Sequence, residues 1–185
     1  MSSVIIAGDT SGSVTLAAPA VSGTTTLTLP ATTGTVITTG STGQVINKAS
    51  LPTGSVLQVV NATSSTLVST TSATYVTTGL TATITPTSSN SKILVLANAA
   101  MQGVGSQNTN ITLFKNGTNL LSAVGLGYIN ANSLASNQIT ATLYLDSPAT
   151  TSATTYEIYF KTSGGTAYFA AGASTSTITL MEIAA

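Results

Sequence analysis

Cysteine, histidine and tryptophan are all missing from this chain of 185 residues. Its four basic residues are lysines, so arginine is missing as well. Without cysteine there is neither a disulfide framework nor a thiolate nucleophile, and redox chemistry says nothing about the compartment. Without histidine the commonest general base and the imidazole metal ligand are gone. Without arginine, and with no basic patch, there is no fork to read a base or grip a phosphate, so no nucleic-acid partner is expected. No stretch approaches the ~20 apolar residues of a membrane-crossing helix, and no charged segment followed by an apolar run opens the chain, so neither a membrane nor a secretory leader is expected.

Charge is scarce too. Charged residues are 4% of the chain, against about a quarter in an ordinary soluble domain. They are Lys48, Lys92, Lys115 and Lys161 against Asp9, Asp146, Glu157 and Glu182, for a net charge of zero. That is a poor composition for a small protein diffusing freely. Threonine, serine and asparagine, together more than a third of the residues, must carry the hydration. Hydroxyls and amides are not screened by salt as charges are, which suits a protein fixed in a large assembly.

What is present is β-forming. Apolar residues make up 42% but aromatics only 5%, so a core must be built from Val, Ile, Leu and Ala. Abundant Thr, Val and Ile, punctuated by Gly, Asn and Ser, predict strands almost throughout. Residues 3–39 hold a loose repeat, SVTLAAPAVSG, then TTTLTLPATTG, then TVITTG. Each unit is a short strand, then Pro or Ala, then a Gly turn, with Pro19 and Pro30 at strand ends where the missing N–H does least harm. Each strand offers two or three apolar side chains. Ordering costs ~1–2 kcal/mol per residue, and burying a Val or Leu returns ~1.5–3 kcal/mol. The terms nearly cancel, so residues 1–50 are expected to form an extended arm that is buried against other chains through Val4, Ile5, Ile6, Val14, Leu16, Leu27, Leu29, Val36 and Ile37.

A second composition begins at Leu51-Pro52-Thr53-Gly54. Strands are expected at 55–62, 73–78, 80–86, 92–100, 111–115, 118–121, 138–145, 156–161, 167–171 and 177–183. In 80–86, Leu80, Ala82 and Ile84 alternate with threonines, the mark of a half-buried strand. Residues 92–100 (KILVLANAA) are apolar on both faces and should lie at the centre of a sandwich. Asn116-Gly117 between apolar runs predicts a two-residue type I′ hairpin. No window shows helical periodicity. The expected fold is all-β: the extended N-terminal arm, then a jelly-roll-like antiparallel β-sandwich over 51–185.

The candidate sites are few. Asp146 and Glu157 flank an expected loop and could approach one another as a glycosidase pair would; read plainly, they are a strand-end Asp and a solvent-facing Glu in Tyr156-Glu157-Ile158-Tyr159-Phe160. Asp9, in Gly-Asp-Thr-Ser-Gly, reads as a turn, since a calcium loop gathers several carboxylates. No serine has a base in a motif. The expectation is therefore not an enzyme, with no catalytic residue, no metal ligand and no cofactor. Asn61, Asn110 and Asn116 open Asn-x-Thr triplets, which chance supplies in so Thr-rich a chain. Tyr128, Tyr144 and Tyr159 are candidates for a surface that touches a receptor, Tyr144 and Tyr159 because they fall opposite the apolar phase of their strands. The Gly/Ser/Asn-rich segments 101–109, 124–137 and 163–175 are expected loops. The threonines keep no common spacing, which argues against an ice-binding face.

The stretch SVIIAGDTSGSVTLAAPAVSGTTTLTLPATTGTV resembles segments that recur in virion structural proteins of tailed bacteriophages, including phages of cyanobacteria and marine bacteria. PTGSVLQVV and SSNSKILVLANAAM resemble the opening strands of the C-terminal knobs of their fibres and decoration proteins. With ITLFKNGTNL, these stretches cover about half of the chain. The resemblance implies a homotrimeric β-structured virion component and carries no catalytic residue. Most such fibres set the knob behind a stalk and a tail adaptor, whereas here Met1 directly precedes the arm, which tilts the expectation towards a capsid decoration (cement) protein or short head fibre that stabilises the shell. The alternative is a short tail fibre or fibre tip that binds host-surface polysaccharide. The expected partners are copies of itself, the major capsid protein or a tail or neck protein, and in the alternative a host glycan; the expected location is the virion, on the outer surface of the capsid or on the tail.

Overall fold

The computed structural model describes residues 3–7, 13–17, 51–105, 107–121, 123–131 and 136–185. The chain separates into two compact units, Met1–Val45 and Ile46–Ala185.

In the first unit, β1 (Ser3–Ala7) and β2 (Ser13–Ala17) pair antiparallel. Val4 stands opposite Leu16, Ile5 opposite Thr15 and Ile6 opposite Val14. Five of the arm residues are thus brought together in one two-stranded ribbon, a unit that is marginal on its own in water. Leu27, Leu29, Val36 and Ile37, and the turn at Asp9, lie outside the described residues.

The second unit runs β3 (Val56–Ser64), β4 (Val68–Thr70), β5 (Val76–Ile84), β6 (Lys92–Val104), β7 (Gln107–Lys115), β8 (Thr118–Asn119), β9 (Gly127–Ala131), β10 (Ser136–Asp146), β11 (Thr154–Thr162), β12 (Thr166–Phe169), a 3₁₀ turn at Ala171–Ala173, and β13 (Ser176–Ile183). Every pairing is antiparallel. One sheet runs β3-β13-β6-β10, with β12 and β4 beside the far end of β6. The other runs β5-β11-β7, with β8 and β9 on the free edge of β7. Setting aside the short β4, β8 and β12, the eight remaining strands fall in the order first, eighth, third, sixth in one sheet and second, seventh, fourth, fifth in the other. That interleaving is a jelly roll, as the strand pattern led us to expect.

The inner faces follow from strand alternation. Leu80, Ala82 and Ile84 of β5, Ile93, Val95, Ala97 and Ala99 of β6, Tyr156, Ile158 and Phe160 of β11, and Ile178 and Leu180 of β13 are buried between the sheets. β6 lies mid-sheet, as its two apolar faces require, with β10 along one edge and β13 and then β12 along the other. Where β13 gives way to β12, the backbone of Ala100 would lose its partners. Ser176 Oγ accepts from Ala100 N at 3.0 Å and Ala170 N donates to Ala100 O at 2.8 Å, so the seam stays satisfied.

The turn at Asn116-Gly117 is as expected. Both residues have positive φ, 48° and 79°, and Lys115 pairs with Thr118 across the turn. Other boundaries differ. The strands expected at 73–78 and 80–86 are one strand, β5, which absorbs Gly79 as a bulge where the register with β11 shifts between Glu157 and Tyr159. Segment 101–109, expected as a loop, is mostly the end of β6 and the start of β7, and segment 124–137 contains β9. Asn-rich sequence looks like loop, but here its amides bond across strands, as Asn130 Nδ2 does to Asn108 Oδ1 at 2.9 Å.

Candidate interaction surfaces

Strand alternation on β11 turns Glu157, Tyr159 and Lys161 to the outer face of the second sheet. On β7, beside it, Phe114 points the same way, and the rings of Phe114 and Tyr159 stack with centroids 3.8 Å apart at 15°. Tyr75 meets Phe114 edge-on at 6.3 Å. The ammonium of Lys161 sits 4.5 Å from the centre of the Tyr75 ring and donates to Ala123 O at 2.8 Å, while Tyr75 Oη donates to the same carbonyl at 3.2 Å. Asn110 Nδ2 holds Val124 O at 3.1 Å, and Leu126 N donates to Ile111 O at 2.8 Å. The β8–β9 loop is thereby pinned over the outer face. At the other end of the cluster Glu157 accepts from Thr77 Oγ1. Burial, and then the nearby Glu157 carboxylate, raise the Tyr159 phenol above its ordinary pKa, and burial alone raises Tyr75. Both rings are neutral hydrogen-bonding platforms at any physiological pH.

The outer face of the first sheet is polar at one end, where Asn61 Nδ2 donates to Thr179 Oγ1 at 2.8 Å, and apolar at the other. Val59, Met181, Leu94 and Leu145 stand in one row across β3, β13, β6 and β10. Leu143 and Ile139 continue the apolar surface along β10. Beside Ile139, a depression of about 290 Å³ is lined by Ala100, Met101, Gln138, Ile139, Ala171 and Ser174.

The two acids buried among the described residues are fully engaged. Asp146 accepts from Lys115 Nζ at 2.8 and 3.1 Å and from Tyr156 Oη at 2.7 Å. Burial, and then the hydrogen bond to Asp146 and its charge, push the Tyr156 phenol far above its ordinary range. Glu182 accepts from Thr87 N at 2.6 Å, Thr87 Oγ1 at 2.7 Å and Gln58 Nε2 at 2.6 Å. Burial alone would raise its carboxyl, but hydrogen bonds from Thr87, with Gln58 adding to them, outweigh that and hold it below the usual range. These acids act as internal fasteners. Glu157 is on the opposite side of β11 from Tyr156, so Asp146 and Glu157 do not form a carboxylate pair facing one ligand. Among the described residues no three His, Cys, Asp or Glu side chains gather as a metal site would.

The three tyrosines named from sequence are not brought together. Tyr128 is 59% exposed on β9, and Tyr159 belongs to the aromatic cluster on β11. Tyr144 of β10 faces inward, packing partly buried against the core. It falls opposite the apolar phase of Ile139, Ala141, Leu143 and Leu145, but that apolar set faces solvent and Thr140, Thr142 and Tyr144 face in. Tyr75, Phe114 and Lys161 were not singled out as a surface. The available signal was alternation in residues 156–161, which sets Glu157, Tyr159 and Lys161 on one face, and the position of Phe114 just before the Asn-Gly turn.

The fold and these surfaces define a jelly-roll β-sandwich, preceded in the chain by a separate unit in which β1 and β2 pair antiparallel. No family model matches the chain, and no curated protein matches it in sequence.

Proposed function

We propose that this chain is a virion structural protein of a tailed bacteriophage, a trimeric capsid decoration protein or short head fibre in which the N-terminal unit anchors to neighbouring subunits and the jelly roll forms the outward knob. The observation that carries this reading is the two-stranded ribbon of β1 and β2, marginal on its own in water, in a unit distinct from a sandwich whose two buried carboxylates are spent internally. Support comes from the near absence of charge, from the resemblance of the arm and of the first knob strands to phage virion segments, and from an exposed apolar sheet face that suits an assembled state better than a free one. Stabilisation would work by mass action: what binds the assembled shell and not its separated parts favours assembly. The arm would contribute through strand addition to a neighbouring sheet edge. Deleting residues 2–40 is expected to abolish co-sedimentation with shells of the phage that carries the protein while the circular dichroism of the knob persists. Retained binding would overturn the reading.

A second reading, a short tail fibre or fibre tip binding host-surface polysaccharide, is favoured by Tyr128, whose ring is mostly exposed on β9 and offers a stacking face to a sugar.

A further inference from the structure

β10 ends the first sheet. It pairs with β6 along its whole length with no shift of register, and among the described residues no strand pairs with its other edge. Exposed edges are normally blunted by lysine, proline, a bulge or shortness. The other edges here are: β4, β8 and β9 have three, two and five residues, β5 carries the bulge at Gly79, and β3 carries one at Leu57, where its register with β13 shifts. β10 runs for eleven residues with neither proline nor lysine, and its single charge, Asp146, is tied inward to Lys115.

The side chains beside that edge are apolar and outward. Ile139 is 72% exposed, Leu143 65% and Leu145 50%, with Val59 at 55% farther across the sheet. Together they make a stripe on the order of 300–600 Å², the size of the largest apolar patch on a typical monomer, which is often functional. An occupant must offer an uncharged apolar surface and an open strand edge together.

This chain offers both, in self-complementary form. Ile139-Thr140-Ala141-Thr142-Leu143 reads nearly alike in either direction. Setting β10 antiparallel to its own copy, with a two-fold axis at Ala141, places Ile139 against the partner's Leu143 and Leu143 against the partner's Ile139 on the outer face. Ala141 meets its own equivalent, and on the inner face Thr140 meets the partner's Thr142. A two-fold interface requires this kind of match, since the same patch serves both sides. Cross-strand apolar pairs and Thr–Thr pairs are among the favourable ones. We propose that two copies of this chain join edge to edge through β10, continuing the first sheet across a two-fold axis. The inference does not rest on the virion reading, and its axis is distinct from the three-fold one of that reading.

The test is a single cysteine in the full chain, which has none of its own. Residues directly opposite in an antiparallel pair have Cα atoms ~4.5–5.5 Å apart, within the ~4.4–6.8 Å that a disulfide spans. Under mild oxidation Ala141→Cys should give a covalent dimer on a non-reducing gel, and Thr66→Cys, exposed after β3, should not. In sedimentation equilibrium Leu143→Lys, an exposed change that leaves the core intact, should halve the mass while circular dichroism is unchanged. The proposal is overturned if Ala141→Cys links no more than Thr66→Cys, or if Leu143→Lys leaves the mass as it was. Linking of Ala141→Cys to a second cysteine placed in β2, in preference to itself, would assign the edge to the arm and overturn it equally.

Discussion

The hydroxyl of Tyr156 donates a 2.7 Å hydrogen bond to Asp146 inside the sandwich, so the end of β10 is tied through a side chain to β11 of the opposite sheet. Lys115 of β7 completes the cluster from a side chain one quarter exposed. The apolar outer set of β10 depends on this fastening, because Asp146 and Tyr144 are the residues that hold the strand's other side against the core.

Removal of one donor from that cluster should be tolerable and removal of its acceptor should not. Tyr156→Phe takes away one of three bonds to Asp146 and is expected to cost ~1–2 kcal/mol. Asp146→Ala leaves both the Tyr156 hydroxyl and the Lys115 ammonium without their acceptor and is expected to cost ~3 kcal/mol, the low end for breaking a buried pair because Lys115 reaches solvent. Urea unfolding midpoints of the two variants, and of the double variant, provide the check: the double variant should cost less than the sum.

Two glycines with similar backbone angles should respond very differently to alanine. Gly117, at φ 79°, has open space where a Cβ would stand, so Gly117→Ala carries only left-handed strain of ~1–2 kcal/mol. Gly125, at φ 80°, would place its Cβ against the Ile111 carbonyl oxygen and the Tyr75 hydroxyl, closer than atoms can pack. Gly125→Ala adds overpacking of ~1–3 kcal/mol to the same strain. It should also release the β8–β9 loop from Lys161 and Tyr75, read as faster proteolytic cleavage between residues 120 and 126 in native conditions.

Periodicity made most of this fold legible, and its failure on β10 shows where such reading stops. The alternation of Leu80, Ala82 and Ile84 with threonines gave the buried face of β5 directly, and Asn116-Gly117 gave its turn, because each pattern has one low-energy outcome. Alternation on β10 gave the strand but the wrong inward face. Period-two patterning reports that two faces differ, and which face meets the core depends on the neighbours: here Thr140, Thr142 and Tyr144 pack inward while Ile139 and Leu143 point out. The Asp146–Tyr156–Lys115 cluster joins residues from three strands, and no local spacing encodes it. The aromatic cluster was half legible, since Tyr159 and Lys161 share a face by alternation, but Tyr75 and Phe114 arrive from other strands or loops.

Tyr159 and Tyr128 should separate stability from recognition. One face of the Tyr159 ring is covered by Phe114, so Tyr159→Ala is expected to cost ~1–2 kcal/mol through lost stacking and burial. Tyr128 is mostly exposed, so Tyr128→Ala should change stability by no more than ~0.5 kcal/mol. If the knob recognises polysaccharide through a stacked ring, a glycan array should show binding lost in Tyr128→Ala at unchanged thermal midpoint. Equal binding by Tyr128→Ala and the parent would set the fibre-tip reading aside.

The pH dependence of stability should form a plateau with two separately assigned limbs. Glu182 has a lowered carboxyl pKa in the fold, from an ordinary value of 4.5. As pH falls through 4.5 the unfolded chain takes up a proton that the folded one still refuses, so stability declines; the Glu182 contribution is present above that pH and is lost as the folded value is crossed. Tyr156 has the opposite sign, being raised from an ordinary value of 10.0. Below pH 10 both states hold the proton and its contribution is complete, whereas above it the unfolded chain releases a proton that the buried phenol retains, and stability falls as pH rises. Urea midpoints measured from pH 3 to pH 11 should therefore be level between about pH 5 and pH 10 and decline on either side. Glu182→Gln should lower the plateau by ~2 kcal/mol, because its NH₂ replaces one of the two accepting oxygens and faces either the Thr87 donors or the Gln58 amide as a donor, and should flatten the acid limb. Tyr156→Phe should make the alkaline limb shallower and leave the acid limb in place. An acid limb unchanged in Glu182→Gln would mean that another carboxyl governs it.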